Sequence, residues 1–147
     1  MIKVIELSAS LEDYLKAIYL INLEKKVVRV KEVAEFLEVR TPSVVDAVSK
    51  LSEKELVIHE KYGYLTLSKK GNEVAKLIYN KHEQIFKFLN EVLGIDEETS
   101  QKDACALEHH ISKLTMEKII KLMKFLDRDA RKYEKWVKDF NSFTVAD

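Results

Sequence analysis

The scarcity of chain-breaking residues is the feature that most constrains this sequence. Only one proline and three glycines occur in 147 residues. So few turn-forming residues leave little room for a sheet of many strands, and we predict a mainly α-helical protein. The length suits one compact domain or two small domains. An apolar content of 46%, combined with 34% charged residues, is typical of a folded soluble chain.

Charge, cysteine usage and hydropathy exclude several classes of protein. The formal net charge is zero, with 12 Lys and Arg against 11 Asp and Glu in residues 1–72, and 13 against 14 in residues 73–147. Neither half therefore has the basic character of a constitutive nucleic-acid binder. The single cysteine excludes an internal disulfide and suits the reducing cytoplasm, where we expect this protein. No signal-peptide pattern and no membrane-spanning apolar run occur, so no membrane partner is expected.

Three helices are predicted in the first half of the chain. The first begins after Ser10, where apolar side chains recur at helical spacing, at Leu11, Tyr14, Leu15, Ile18 and Ile21. The second covers Val30–Leu37. The third begins with Thr41 as N-cap and Pro42 as its first helical residue, and it runs to about Lys54.

A β-hairpin is predicted directly after the third helix. Residues 56–60 and 64–68 are short β-like runs on either side of Tyr62 and Gly63, a turn-forming pair. The order of elements predicts a winged helix-turn-helix DNA-binding domain over residues 1–72: two helices, a tight turn, a third helix and a hairpin.

The second half, residues 73–147, is predicted to be an all-helical domain. Ser68 is placed to cap a long helix that ends at Gly94, and further helices are predicted over residues 96–110, 116–126 and 130–143. This half carries more apolar side chains than a lone small bundle needs. A homodimer interface would bury the excess, although a self-contained core is an alternative.

The third helix carries the residues expected to contact DNA. If it enters a major groove, its exposed side chains read bases and contact phosphates, and the expected contacts are Arg40, Thr41, Pro42, Ser43, Asp46, Ser49 and Lys50. Lys61 and Tyr62, at the tip of the wing, could reach the backbone or the minor groove. Asp46 would repel phosphates but could accept a hydrogen bond from a cytosine amino group. The alternative is a winged helix that contacts protein, with its charges simply solvated.

Cys105, Glu108 and His109 form a candidate metal-binding face. At positions i, i+3 and i+4 of a helix, these side chains project from one side. A thiolate, a carboxylate and an imidazole suit a first-row transition metal better than Mg²⁺ or Ca²⁺. Each residue alone has an ordinary explanation, since a lone cysteine is usually a small buried hydrophobe. His110 lies about 100° further around the helix and is left out of the site.

Further ligands must come from other elements, and two residues are candidates. His82 lies in the middle of a predicted helix, near the apolar Ile78 and Phe86, and its alternative role is that of a hydrogen-bonded interfacial histidine. Asp13 follows Ser10 by three residues, and this spacing favours a capping box over a metal ligand.

The segments SLEDYLKAIY, VRVKEVAEFLEVRTPSVVDAVSKL, NKHEQIFKFL and DACALEHHIS together resemble the diphtheria-toxin-repressor family of metal-dependent transcriptional regulators. The resemblance covers essentially the whole chain in order. In size and ending the sequence is similar to the two-domain, manganese-responsive branch, which lacks the SH3-like domain of longer members.

The resemblance implies a set of metal ligands. Asp13, Cys105, Glu108 and His109 fall on the family's principal site, and His82 falls on a second-site ligand. Asp13 matches the manganese branch and Cys105 matches the iron branch, so the set is a hybrid. The resemblance thereby favours Asp13 as a ligand over Asp13 as a cap alone, and one side chain could serve both roles.

The same resemblance puts a second metal in doubt. Lys16 stands where the manganese branch has a glutamate ligand, and an ammonium group cannot coordinate a cation. Phe86 and Gln101 stand where the iron branch has ancillary ligands. We therefore expect one principal metal per subunit, either Fe²⁺ or Mn²⁺, with Co²⁺, Ni²⁺ or Zn²⁺ able to substitute in vitro.

The predicted function is a metal-dependent repressor of metal-homeostasis genes, binding a palindromic operator as a homodimer. The first alternative, a small metal hydrolase, lacks a recognisable catalytic motif in this sequence. The second alternative is a winged-helix repressor that senses an organic ligand or an oxidant through Cys105.

Overall fold

The computed structural model describes residues 5–145 as a mainly helical protein with one small sheet. Its seven helices are α1 (Ala9–Glu24), α2 (Val30–Leu37), α3 (Thr41–Glu53), α4 (Lys69–Lys87), α5 (Glu97–Glu108), α6 (Lys113–Asp127) and α7 (Ala130–Ser142). Its strands are β1 (Val28–Arg29), β2 (Val57–His59) and β3 (Tyr64–Leu67), all antiparallel in the order β1-β3-β2. The predicted fold class, a winged helix-turn-helix followed by an all-helical part, is confirmed. Within these residues no helix combines the length and apolar character that a membrane span requires.

Backbone contacts divide the chain into two compact units. The first extends to Tyr79 and the second begins at Asn80. The division falls inside the continuous helix α4, as does the position between residues 72 and 73 where we predicted a domain boundary. That boundary therefore stays a prediction.

The core of the first unit is formed by α1, α2, α3 and the sheet. Leu15 and Ile18 of α1, Val33 of α2, and Val44 and Leu51 of α3 are fully buried in it. The spacing of three residues between Leu15 and Ile18, and of seven between Val44 and Leu51, places each pair on one face of its helix.

Two predicted helix starts in this unit are wrong. Helix α1 begins two residues early, with the Ser8 side chain accepting a hydrogen bond from the Leu11 amide at 3.3 Å. Ser10 lies inside the helix and cannot form the predicted capping box with Asp13. Helix α3 has Arg40 rather than Thr41 at its N-cap, without a side-chain cap. Pro42 lies in the first turn of α3. Backbone N–H groups there make no hydrogen bond within the helix, so the missing N–H of proline costs nothing.

The wing has one strand more than the sequence predicted. The predicted hairpin is present as β2 and β3, joined by a tight turn in which Tyr62 and Gly63 have φ of 72° and 77°. Strand β1 adds to the other edge of β3 and pairs Val28 with Leu65. Two residues are too few to show strand alternation, so no sequence pattern indicated β1.

The second unit contains a separate core between the end of α4, α5 and α6. Ile85, Leu89, Ala104 and Met116 are its buried members. Helix α4 ends in a π-helical turn over Phe88–Val92, and Gly94 then adopts a φ of 69°, which a side chain disfavours. The predicted stop at Gly94 is thus confirmed. An added Cβ on Gly94 would also lie 2.0 Å from the Asn141 side chain of α7.

Candidate metal centre and nucleic-acid interface

Helix α5 carries most of the predicted metal ligands and is held at its start by two side-chain contacts. The Asp96 carboxylate caps it by accepting from the Thr99 amide at 2.9 Å. The Ser100 hydroxyl, fully buried, donates to the Ile95 carbonyl at 3.1 Å. The backbone N–H of Thr99 holds the pKa of the Asp96 carboxyl below its ordinary value of 3.8. The start of α5 is therefore stabilised by a charged cap.

The other end of α5 differs from the prediction. The helix ends at Glu108, and His109 is its C-cap, with φ of −86° and ψ of −19°. These angles remain in the right-handed helical region, so the chain has not yet turned away at His109. His110 is exposed, as its position on the helix suggested.

Glu108 is the centre of the candidate metal site. Its side chain is 1% exposed, and its Oε2 lies 2.6 Å from Nδ1 of His82 on α4. Its Oε1 lies 3.4 Å from Nε2 of His109. An ionised carboxylate is costly to bury unless donors or a cation compensate it. The imidazole rings of His82 and His109 lie beside the Glu108 carboxylate.

Cys105 and Gln101 complete the cluster around His82. The Cys105 Sγ lies 3.9 Å from His82 Nδ1, and the Gln101 side-chain nitrogen lies 3.1 Å from His82 Nε2. The second unit thus brings together four of the five predicted ligands: His82, Cys105, Glu108 and His109. Gln101 was not predicted as a site residue. The family resemblance noted it only as standing where the iron branch has an ancillary ligand, and it lies one helical turn before Cys105.

The chemistry of this donor set fits a transition-metal ion. Sulfur, carboxylate oxygen and imidazole nitrogen are the ligands that first-row divalent ions accept together. The buried Glu108 carboxylate supplies the negative charge that such an ion requires. The residues present therefore suit a transition-metal ion.

Asp13, the fifth predicted ligand, lies on α1 in the first unit. Its Oδ1 lies 3.9 Å from the Nζ of Lys16, one helical turn later. The Lys16 side chain is only 9% exposed, whereas that of Asp13 is 42% exposed. A mostly buried ammonium group beside this carboxylate offsets part of its negative charge.

The residues predicted to contact DNA are all exposed. On and just before α3 these are Arg40, Thr41, Pro42, Ser43, Asp46, Ser49 and Lys50, and at the tip of the wing they are Lys61 and Tyr62. Tyr62 is 93% exposed. Residues from the start of α1 and from α3, among them Ser10, Ser43 and Lys50, line a shallow groove. Their contact with DNA stays a prediction.

The wing is braced by one residue that the sequence did not single out. Arg29 of β1 donates from Nη2 to the Tyr64 hydroxyl at 3.1 Å, and its guanidinium lies 5.2 Å from the centre of the same ring. Its backbone N–H also donates to the Glu32 carboxylate at 2.9 Å, which helps to begin α2. Arg29 thus connects the wing to the helix-turn-helix.

A winged helix-turn-helix, followed by a helical part with a buried cluster of sulfur, oxygen and nitrogen donors, is the architecture of a metal-responsive DNA-binding regulator. Sequence profiles agree with this class. One, described as "Iron dependent repressor, N-terminal DNA binding domain", matches residues 6–65. A second, described as "Iron dependent repressor, metal binding and dimerisation domain", matches residues 68–136. The chain belongs to this family, that of the diphtheria toxin repressor, and it is a metal-dependent transcriptional repressor.

Individual relatives lie on the manganese side of the family. The HTH-type transcriptional regulator MntR of Bacillus subtilis is 39% identical over 124 residues, which cover 84% of this chain and 87% of that protein. The solved structure of the manganese regulator SloR has a TM-score of 0.69 and 31% identity, covering 82% of this chain and 55% of that one. A manganese-dependent transcriptional repressor in complex with manganese has a TM-score of 0.72 and 30% identity, covering 81% and 55%. This chain therefore spans little more than half of those two solved structures.

Proposed function

We propose that this repressor responds to Mn²⁺ or Fe²⁺, and that Asp13, Cys105, Glu108 and His109 bind the ion. The observation that carries the proposal is the buried Glu108 carboxylate, which has an imidazole beside each of its two oxygens. His82 belongs to the same site through its contact with Glu108. Asp13 is included because of the family resemblance.

Among the two metals, Mn²⁺ has the additional support of the relatives named for manganese regulation. Cys105 adds a softer donor than carboxylate oxygen, and this donor suits Fe²⁺ well. By the Irving–Williams order, Co²⁺, Ni²⁺ and Zn²⁺ would bind more tightly than either Mn²⁺ or Fe²⁺. Which ion is bound in the cell is therefore decided by which ion is available there.

The DNA target is proposed to be a palindromic operator near metal-homeostasis genes, read by a homodimer in the cytoplasm. Apolar side chains exposed on α6 and α7 support dimerisation, among them Leu122, Phe125, Trp136 and Phe140. A two-fold dimer places two α3 helices against two half-sites, which a palindrome supplies. The role is one of binding, and no enzymatic reaction is proposed.

Metal control of DNA binding follows from the charges of the ligands. If Asp13, Glu108 and Cys105 bind one ion, their anionic groups would repel one another without that cation. When bound, the ion supplies that charge and favours the arrangement in which all four ligands meet. A ligand shifts such an equilibrium only through its preference for one state, so operator affinity rises if that state also binds DNA.

The test is a fluorescence-anisotropy titration of a duplex selected from random sequences by the protein in Mn²⁺. We expect Mn²⁺ or Fe²⁺ to raise the affinity at least tenfold, which corresponds to about 1.4 kcal/mol. Glu108→Ala should abolish this stimulation and leave a folded dimer, as judged by circular dichroism and light scattering. The exposed neighbour variant His110→Ala serves as the matched control and should respond like the unmodified protein. Equal affinities with and without metal would refute the proposal.

A further inference from the structure

Both ring nitrogens of His82 lie against another side chain. Nδ1 lies 2.6 Å from the Glu108 carboxylate, and Nε2 lies 3.1 Å from the side-chain nitrogen of Gln101. His82 is 3% exposed and Glu108 is 1% exposed, so their contact is fully buried, whereas Gln101 reaches His82 from the exposed side of α5. The three side chains form one continuous series from Gln101 to His82 to Glu108.

The chemistry of the amide assigns the protons in this series. An amide nitrogen can only donate, so Nε2 of His82 accepts from Gln101 with its lone pair. A neutral imidazole then carries its proton on Nδ1, which donates to the Glu108 carboxylate. A buried carboxylate requires a hydrogen bond in this direction, since a lone pair on Nδ1 would be repelled by the Glu108 oxygen at 2.6 Å.

Coordination by His82 would need a lone pair that this arrangement has already used. The Nε2 lone pair accepts from Gln101, and Nδ1 is protonated toward Glu108. The neighbouring turns of α4 offer no co-ligand either, because the positions three and four residues away are Ile78, Tyr79, Ile85 and Phe86. Carboxylate, imidazole and thiol groups are absent from those four positions.

We propose that His82 is a positioning residue that orients Glu108 through a hydrogen bond set by Gln101, and that each protomer binds a single transition-metal ion. The inference rests on the proposed metal site. Its physical basis is that metal-bound carboxylates and imidazoles are held by outer hydrogen bonds, whose loss typically weakens metal binding about 10–100-fold. It assigns His82 such an outer role in place of the second-site ligation that the family resemblance implied.

The experiment measures Co²⁺ and Mn²⁺ binding to the full chain by calorimetry, together with the Co²⁺ absorption spectrum. We expect one ion per protomer in the unmodified protein. His82→Leu, which leaves the Glu108 carboxylate without this donor, should weaken binding about 10–100-fold with the stoichiometry still one. His82→Asn keeps an amide N–H near the position of Nδ1, so it should restore affinity to within about threefold of the unmodified protein.

The spectrum separates positioning from coordination. Since no ligand is lost in His82→Asn, its Co²⁺ bands should match those of the unmodified protein in position and intensity. Gln101→Met should weaken binding alone but add nothing in the His82→Asn background, because asparagine has no atom equivalent to Nε2. The exposed His110→Asn variant is the control for removing an imidazole from the chain.

Two ions per protomer, with one of them lost in His82→Asn, would overturn the inference and leave the proposed function intact. A changed Co²⁺ spectrum in His82→Asn would overturn it as well. A complete lack of metal binding in the unmodified protein would refute both the proposed function and this inference. His82→Asn also protects the test against misfolding of the leucine variant, since it preserves a polar partner for Glu108.

Discussion

The ammonium group of Lys50 lies 2.8 Å from the Asp46 carboxylate, one turn earlier on the exposed face of α3. This hydrogen bond raises the pKa of Lys50 above its ordinary value of 10.5. Lys50 is therefore charged at every physiological pH, but its charge is shared with a carboxylate on the same helix. A phosphate must compete with Asp46 for it.

Asp46→Asn should therefore increase affinity for DNA of any sequence. Removal of the carboxylate frees Lys50 for a phosphate, so the dependence of log K on log salt should steepen by roughly one. Anisotropy titrations of a random-sequence duplex at several salt concentrations would measure both effects. Glu53→Gln removes a different carboxylate of α3 without breaking the contact to Lys50, and it should change the slope less. An unchanged slope in Asp46→Asn would show that Lys50 does not contact DNA.

Cys105→Ser should change which metals the protein prefers. Loss of a thiolate weakens binding of Co²⁺ and Zn²⁺ more than binding of Mn²⁺, because soft sulfur favours the later metals. We expect a loss of at least about tenfold for Co²⁺, or 1.4 kcal/mol, measured by competition with a chromophoric chelator. The sulfur-to-Co²⁺ charge-transfer absorption should disappear at the same time. Ala106→Ser, at the exposed next position, is the control, and equal losses for Co²⁺ and Mn²⁺ would argue against sulfur coordination.

The Asp96 cap should make the stability of the second unit depend on pH in acid. Because the pKa of Asp96 is lowered in the folded state, its contribution is present above its ordinary value of 3.8 and is lost as the pH falls through the folded value. Asp96→Asn caps the helix without titrating. The free energy of unfolding of Asp96→Asn should be lower than that of the unmodified protein at pH 5. This difference should shrink as the pH is lowered toward 2. Urea unfolding followed by Trp136 fluorescence measures this, and a difference that is independent of pH would contradict it.

Gly71→Ala should destabilise the first unit. An added Cβ would lie 1.8 Å from the backbone carbonyl oxygen of Leu56, which cannot move independently of the chain. Overpacking of this kind costs about 1–3 kcal/mol. Calorimetric unfolding should show a lower melting temperature than that of the exposed neighbour variant Asn72→Ala. Equal melting temperatures for the two variants would show that α4 can shift away from Leu56 at no cost.

The elements of this fold were largely predictable from local sequence. The apolar spacing of Tyr14, Leu15, Ile18 and Ile21 predicted α1, and all four of these residues are buried in it. Gly94 marked the end of the long helix because its positive φ disfavours any side chain. Helix starts were less predictable, since Ser8 and Ser10 both suit an N-cap and only packing chooses between them. Strand β1 is too short to have a pattern, and only its pairing with β3 defines it.

For the candidate site too, one part was predictable from local sequence and another part was not. Local spacing was enough to place Cys105, Glu108 and His109 together, because one stretch of helix and its cap carry all three. The contact of His82 with Glu108 spans 26 residues of sequence and that with Gln101 spans 19, so neither has a local pattern. By itself, the sequence determined which chemical groups this protein has and which helices carry them. Tertiary packing alone decided that both nitrogens of His82 lie against other side chains, because the proton positions of a buried ring depend on the neighbours that the fold brings to it.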